Sequence, residues 1–266
     1  VIGHSAHGLL DPGVLLLVPL TAVAVLATGA AAAERRRGRP WPLRRSVLLL
    51  AGLAVSALCF VGPLAQWSHT DPRGAMLTHL GLGMLAPLLL MSSAPVTLAL
   101  RALDVTAARR LSRLLRSRPA RVLTHPVTAL LLSTGSLWVV HATGLLTAAH
   151  ADPLLHLALG VHFLLSGCLL TAALVAVDPN PHRASFALRL GVLGVGIAAH
   201  ALLATVLYAE AVSELDRQAA LLLYYGGDAL EIALAALLCA RQYSATSPAR
   251  IPPREMPLGY ATRRGR

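Results

Sequence analysis

The chain has 266 residues, 56% of them hydrophobic and only 13% charged, and its mean hydropathy is +0.65. A water-soluble domain of that composition would have no means of covering its surface, so a soluble enzyme or binding module is excluded. The formal net charge of +11 invites a nucleic-acid reading, but the basic residues are all arginine and cluster between apolar runs, where membrane topology accounts for them and no nucleic acid is expected.

Crossing a bilayer takes about 20 mostly apolar helical residues. Seven runs qualify, at 12–33, 46–66, 75–100, 126–147, 153–177, 190–210 and 219–240. The expected fold is therefore all-α, a polytopic bundle of seven transmembrane helices occupying 1–240. The Arg- and Pro-rich stretch 241–266 is expected to be a disordered tail. The first run has no basic flank before it and is followed by Arg35, Arg36 and Arg37, which predicts a retained helix and not a signal peptide. The second ends at Gly62-Pro63. The third carries Pro87 and Pro95 with Gly81 and Gly83 upstream, residues that kink a membrane helix and free backbone carbonyls. Between the third and fourth runs, Thr106–Arg121 reads as a basic amphipathic helix on the membrane surface. Gly226-Gly227 before Asp228 predict a close helix approach or a local break in the seventh. Cys59, Cys168 and Cys239 fall singly in different runs and read as packing residues.

Every arginine except Arg73 and Arg217 falls in the loops after runs 1, 3 and 5 or beyond run 7. The positive-inside rule then puts the N-terminus outside and the C-terminus in the cytoplasm, in a multi-pass protein of the cytoplasmic membrane.

Ionisable groups inside the runs are costly and usually face a bundle interior, where they mark a site or a pathway. His79, His141, His156, His162 and His200 lie inside otherwise apolar runs, as do Asp228 and Glu231. Counted from the outer end of each run at about 1.5 Å per residue, His156 is roughly 5 Å deep and His79 and His141 some 6–9 Å. His162, His200 and Asp228 are roughly 14 Å deep on the same scale. All lie in the outer half of the bilayer, a pattern that predicts a polar cavity opening outward; His125 is the exception. His4, His7, His69 and His150 fall in outer segments. A lone buried histidine is more often an interhelical hydrogen-bonding residue than a ligand, but the clustering favours function. Met76 and His79, three apart, share a helix face; His156 and His162, six apart, do not. A mixed His/Met set suits copper, above all Cu(I). The candidate metal ligands are His79, His141, His156, His162, Met76, His200 and Asp228.

The stretch Met76-Leu77-Thr78-His79 through Gly83-Met84 and Pro87, followed by Ala94-Pro95-Val96-Thr97, resembles the CtaG-type cytochrome c oxidase assembly factors. Other landmarks agree in order: Gly62-Pro63-Leu64, Thr124-His125-Pro126, His141, Pro153-Leu154-Leu155-His156, Val161-His162-Phe163, Asp178-Pro179 and Gly226-Gly227-Asp228. The all-arginine, Ala-rich composition resembles that of a high-GC actinobacterium. The resemblance implies a seven-helix, non-enzymatic membrane protein that helps deliver copper to the copper B centre of a haem-copper oxidase. An oxidase subunit, the lipid membrane and a copper donor at the outer face are the implied partners. In some actinobacteria the same module is fused to a copper-resistance membrane domain. The chain departs from the pattern at Ala75, where the family often has a histidine; His69 is the candidate substitute. Two other readings use the same cavity: a metal or small-ion transporter, and a haem-binding membrane protein with paired histidines at matched depth. No Ser-His-Asp or HExxH arrangement points to a hydrolase.

Reporter fusions test the orientation. Outside activity is expected after about residues 70, 150 and 214, and inside activity after about 40, 112, 184 and 250. An outside signal in the 101–121 loop would overturn it.

Overall fold

A computed structural model describes residues 12–39 and 41–246, so His4, His7 and the stretch 247–266 lie outside the described residues. Among the described residues six helices are long and apolar enough to cross a membrane: α1 (Gly13–Arg36), α2 (Leu43–Phe60), α4 (Pro72–Ser92), α10 (Pro153–Val175), α11 (Phe186–Glu210) and α12 (Glu214–Thr246). A shorter apolar helix, α8 (Pro126–Ala142), stands among them. Five short helices complete the chain: α3 (Pro63–Thr70), α5 (Pro95–Ala102), α6 (Val105–Leu115), α7 (Arg118–Leu123) and α9 (Leu145–Ala151).

Four of the expected spans are shorter than their apolar runs: the fourth ends at Ala142 and the fifth at Val175, and the second and third end early for local backbone reasons. The second stops at Phe60 because Gly62 takes φ 93, a conformation that needs glycine, and Pro63 then starts α3. The third stops at Ser92. Ala94 adopts a left-handed φ of 61 ahead of Pro95, a residue that disfavours helix at the position before it. The new helix α5 is capped from a distance by Asp178, which accepts from the amides of Val96 (3.1 Å) and Thr97 (2.7 Å) and from the Thr97 hydroxyl (2.6 Å). The last helix is longer than its run, so residues 241–246 are helical and not part of a tail.

The bundle is polar in places inside and apolar outside, as lipid requires. Val25, Leu58, Leu165, Val195, Leu202 and Ile232 are exposed on its flanks, while Ser56, Thr171, Arg189, His200 and Glu231 are buried. Small residues let the helices close. A Cβ at Gly167 of α10 would collide with the Gly83 carbonyl and with Pro87 of α4. A Cβ at Gly226 would come within 2.6 Å of Leu80, so the glycine pair in α12 serves close approach and the helix runs unbroken.

The two ends differ. At one, Trp41 is buried, with the Arg45 and Arg101 guanidiniums over its ring at 4.9 and 5.6 Å. Glu34 is fully buried there and pairs with Arg37 and Arg39 at 3.3 and 3.4 Å. Arg189, 2% exposed, donates to the Leu174 carbonyl (2.7 Å) and to Gln242 (3.2 Å), tying the end of α10 to α11 and α12. At the other end α3 and α9 contribute to a chamber lined by four histidines, His69, His79, His141 and His156.

Gly167→Ala should force α4 and α10 apart against unyielding backbone, at a cost of about 1–3 kcal/mol. Gly191→Ala, where no atom lies within 4 Å, should be neutral or slightly stabilising. Thermal unfolding of the detergent-solubilised protein would compare them; equal midpoints would rule out the close contact.

Candidate functional site

The site begins with a fault in α4. Residues Gly81–Leu85 form a π-helical turn. Pro87 explains its position: it has no amide hydrogen to give the Gly83 carbonyl four residues back, and its ring would strike that carbonyl in a regular helix. Widening the turn relieves the clash, and such turns recur at functional sites. A second π-helical turn, Leu131–Gly135, interrupts α8, where the Ser136 hydroxyl donates to the freed Leu132 carbonyl at 2.6 Å.

Two chambers lie along α4. The outer one has a volume of about 130 Å³ and is walled by His69, Met76, His79, His141, His156 and Phe163 among others. It shares His69, Met76 and His141 with a wider mouth that also includes Asp71, Glu210 and Asp216. The inner chamber, about 50 Å³, is walled by His79, Ser133, Thr134, His200 and Glu231 within a larger apolar lining. His79 belongs to both. Leu174, Val192, Leu193 and Leu234 form an apolar floor to the inner chamber and pack with Val175 and Leu238, a plug beside which Arg189 donates to the Leu174 carbonyl.

The structure thus brings four of the expected residues, Met76, His79, His141 and His156, to one chamber, and puts His200 in the next. His69 stacks on His156 with ring centroids 4.1 Å apart. Ala75 of α4 lines the same chamber as His69 of α3. His141 donates from Nδ1 to the Leu137 carbonyl at 2.9 Å, and its Nε2 is buried without a partner. His79 sits edge-on to Phe163, centroids 5.0 Å apart, against Gly83, where a Cβ would lie 3.2 Å from its ring.

Two expected residues stand apart. His162 points away from His156, as six residues of helix require, and its Nε2 donates to the Leu132 carbonyl at 3.0 Å in the second π turn. Asp228 is half-buried and lines neither chamber. Glu231 takes the place in the wall, its Oε1 3.6 Å from Nδ1 of His200. Gly227 makes room for the His200 ring, and Glu231, four residues on, shares its face, whereas Asp228 is turned by about 100°. Among the described residues no three His, Cys, Asp or Glu side chains converge on one metal position.

At the mouth, Arg73 grips Asp71 through two charge-assisted contacts, Nε to Oδ1 at 3.0 Å and Nη2 to Oδ2 at 2.6 Å. The Arg73 guanidinium holds the Asp71 carboxyl well below the usual carboxylate range, so the mouth keeps a paired charge at physiological pH.

Membrane-length helices around an internal polar cavity define a multi-pass membrane protein. Comparison with known proteins gives the family: residues 24–245 match the cytochrome c oxidase caa3 assembly factors (Caa3_CtaG), and the chain belongs to that family. It is 35% identical over 187 residues to an uncharacterised protein of Mycobacterium bovis and, to the same extent, to one of Mycobacterium tuberculosis; the match covers 66% of this chain and 28% of each relative. An uncharacterised Mycobacterium leprae protein is 32% identical over 174 residues, 63% of this chain and 26% of its own. The chain therefore spans about a quarter of the length of these relatives. No solved structure matches it.

Diethyl pyrocarbonate labelling read by mass spectrometry should modify exposed His69 rapidly and leave His200, 4% exposed, unmodified while the protein is folded. Equal labelling of the two would contradict the two-chamber arrangement.

Proposed function

We propose that this chain is a membrane assembly factor for a haem-copper oxidase, taking copper at the histidine end and passing it to the subunit that carries the copper B centre. Family membership supports the assembly role. The copper role rests on one observation: imidazoles from four helices and a thioether line a chamber continuous with an open mouth. His69, His141, His156 and Met76 would meet the ion first and His79 would receive it, a His/Met set suited to Cu(I). Ligands carried on separate helices can be shed one at a time, which transfer to a partner demands.

The proposed topology counts α8 as the seventh crossing. Its 17 residues reach about 25 Å, short of a core of about 30 Å, a mismatch that local thinning of the bilayer can absorb. With the arginine end inside, the chamber faces outward and a copper donor reaches it from that side. The apolar plug under the inner chamber supports delivery over transport, since an ion leaving inward would have to cross it unliganded.

His79→Ala and His156→Ala should each leave the protein inserted, because single polar contacts in membrane bundles average about 0.6 kcal/mol. In copper-poor medium the host's oxidase activity should fall, with oxidase haem content retained and with recovery on added copper. Full activity in both variants would mean that the histidines are structural.

A further inference from the structure

The inner chamber has a wall that packing does not account for. Two histidine rings reach it from different helices, His79 of α4 and His200 of α11, with centroids 6.2 Å apart. Each keeps a buried ring nitrogen without a hydrogen-bond partner, Nδ1 of His79 and Nε2 of His200. Glu231, 7% exposed, is the carboxylate on that wall, and its Oε2 is likewise unpartnered. Both π turns meet here as well, one through Gly83 and Met84, the other through Ser133 and Thr134. Buried polar atoms without partners are individually costly and call for an explanation. Three around one small cavity mark a place that something else completes.

The spacing says what fits. Two metal–nitrogen bonds of about 2 Å end to end, with the half-widths of two imidazoles, separate ring centroids by roughly 6 Å. The 6.2 Å between the two centroids is compatible with an ion bound linearly between the rings. Zinc wants four ligands and magnesium an oxygen octahedron, and no set of three His, Cys, Asp or Glu is assembled among the described residues. Soft monovalent cations accept imidazole pairs. Charge points the same way. An uncompensated cation at this depth is prohibitively expensive, and among the described residues the outer chamber has no carboxylate in its wall. A monovalent ion beside an ionised Glu231 leaves the inner chamber neutral.

The geometry points to a seat for one soft monovalent cation, of the Cu(I) or Ag(I) class, held between His79 and His200 with Glu231 as its counter-charge. This deepens the copper reading above and rests on it. His79 is the hand-over residue because it lines both chambers, and Gly83 and Gly227 leave the space the two rings occupy. The ion would enter past His141 and His156, come to rest inside, and leave by the same route, since the plug closes the far side.

Purified full-length protein, loaded with Cu(I) anaerobically against a chromogenic Cu(I) chelator, tests this together with X-ray absorption on the loaded sample. One tightly bound Cu(I) with two nitrogen neighbours is expected. His200→Gln should abolish tight binding. Glu231→Gln should weaken it about 10- to 100-fold with the coordination number unchanged, the loss expected of one buried counter-charge. His141→Ala and His156→Ala should retain the ion. A three- or four-coordinate signal in the unmodified protein would overturn the inner seat, and that measurement needs no variant to fold. Binding that survives His200→Gln but is lost in His156→Ala would place the ion in the outer chamber, sinking the inner seat and leaving the copper reading intact. No Cu(I) retained by the unmodified protein would defeat the copper reading itself.

Discussion

Helix α4 meets α10 backbone to backbone, with the Gly83 carbonyl lying against Gly167, and most of the polar interior depends on that contact. Pro87 opens the turn that turns Gly83 toward α10, and the absence of a side chain at residue 167 lets the two helices touch. His79, one turn before Gly83, is thereby set between Phe163 on one side and His200 on the other. Any side chain at residue 167 would push α4 outward and separate the rings. Lipid offers no hydrophobic force to draw helices together, so small residues and interhelical polar contacts must do so.

Polar groups in the bundle divide into those that are satisfied and those that are not. His162 on Leu132 and Asp178 on α5 complete backbone groups that a π turn and a helix start left open, and Trp138 donates to the Ala199 carbonyl of α11 at 3.1 Å. These hold the frame. Unsatisfied buried atoms occur both at the arginine end, on Glu34 and Arg189, and on His79, His141, His200 and Glu231, which line the chambers.

The arginine end is built on different physics. Trp41 lies between two guanidiniums and Glu34 is buried beneath two more, so charge neutralisation and cation–π contact seal that face. Between that face and the inner chamber lies the leucine and valine cluster.

Composition and periodicity were enough for the helical class, the membrane environment and the gathering of histidines toward one end, because a bilayer punishes polar residues strongly enough for sequence to record it. The motif string around His79 was enough for the family. The end of α2 was marked in the sequence by Gly62-Pro63, whereas the end of α4 at Ser92 was not legible, since Ala94 takes a positive φ that hydropathy does not register. Nor was the identity of the acid facing His200. Asp228 and Glu231 look equivalent along the sequence, and only the rotation of α12, fixed by Gly226 against Leu80 and Gly227 against His200, turns Glu231 inward. Depth along each helix is a one-dimensional quantity and can be read from sequence. Rotation about the helix axis is set by which neighbours lack a side chain, and only the packed bundle decides that.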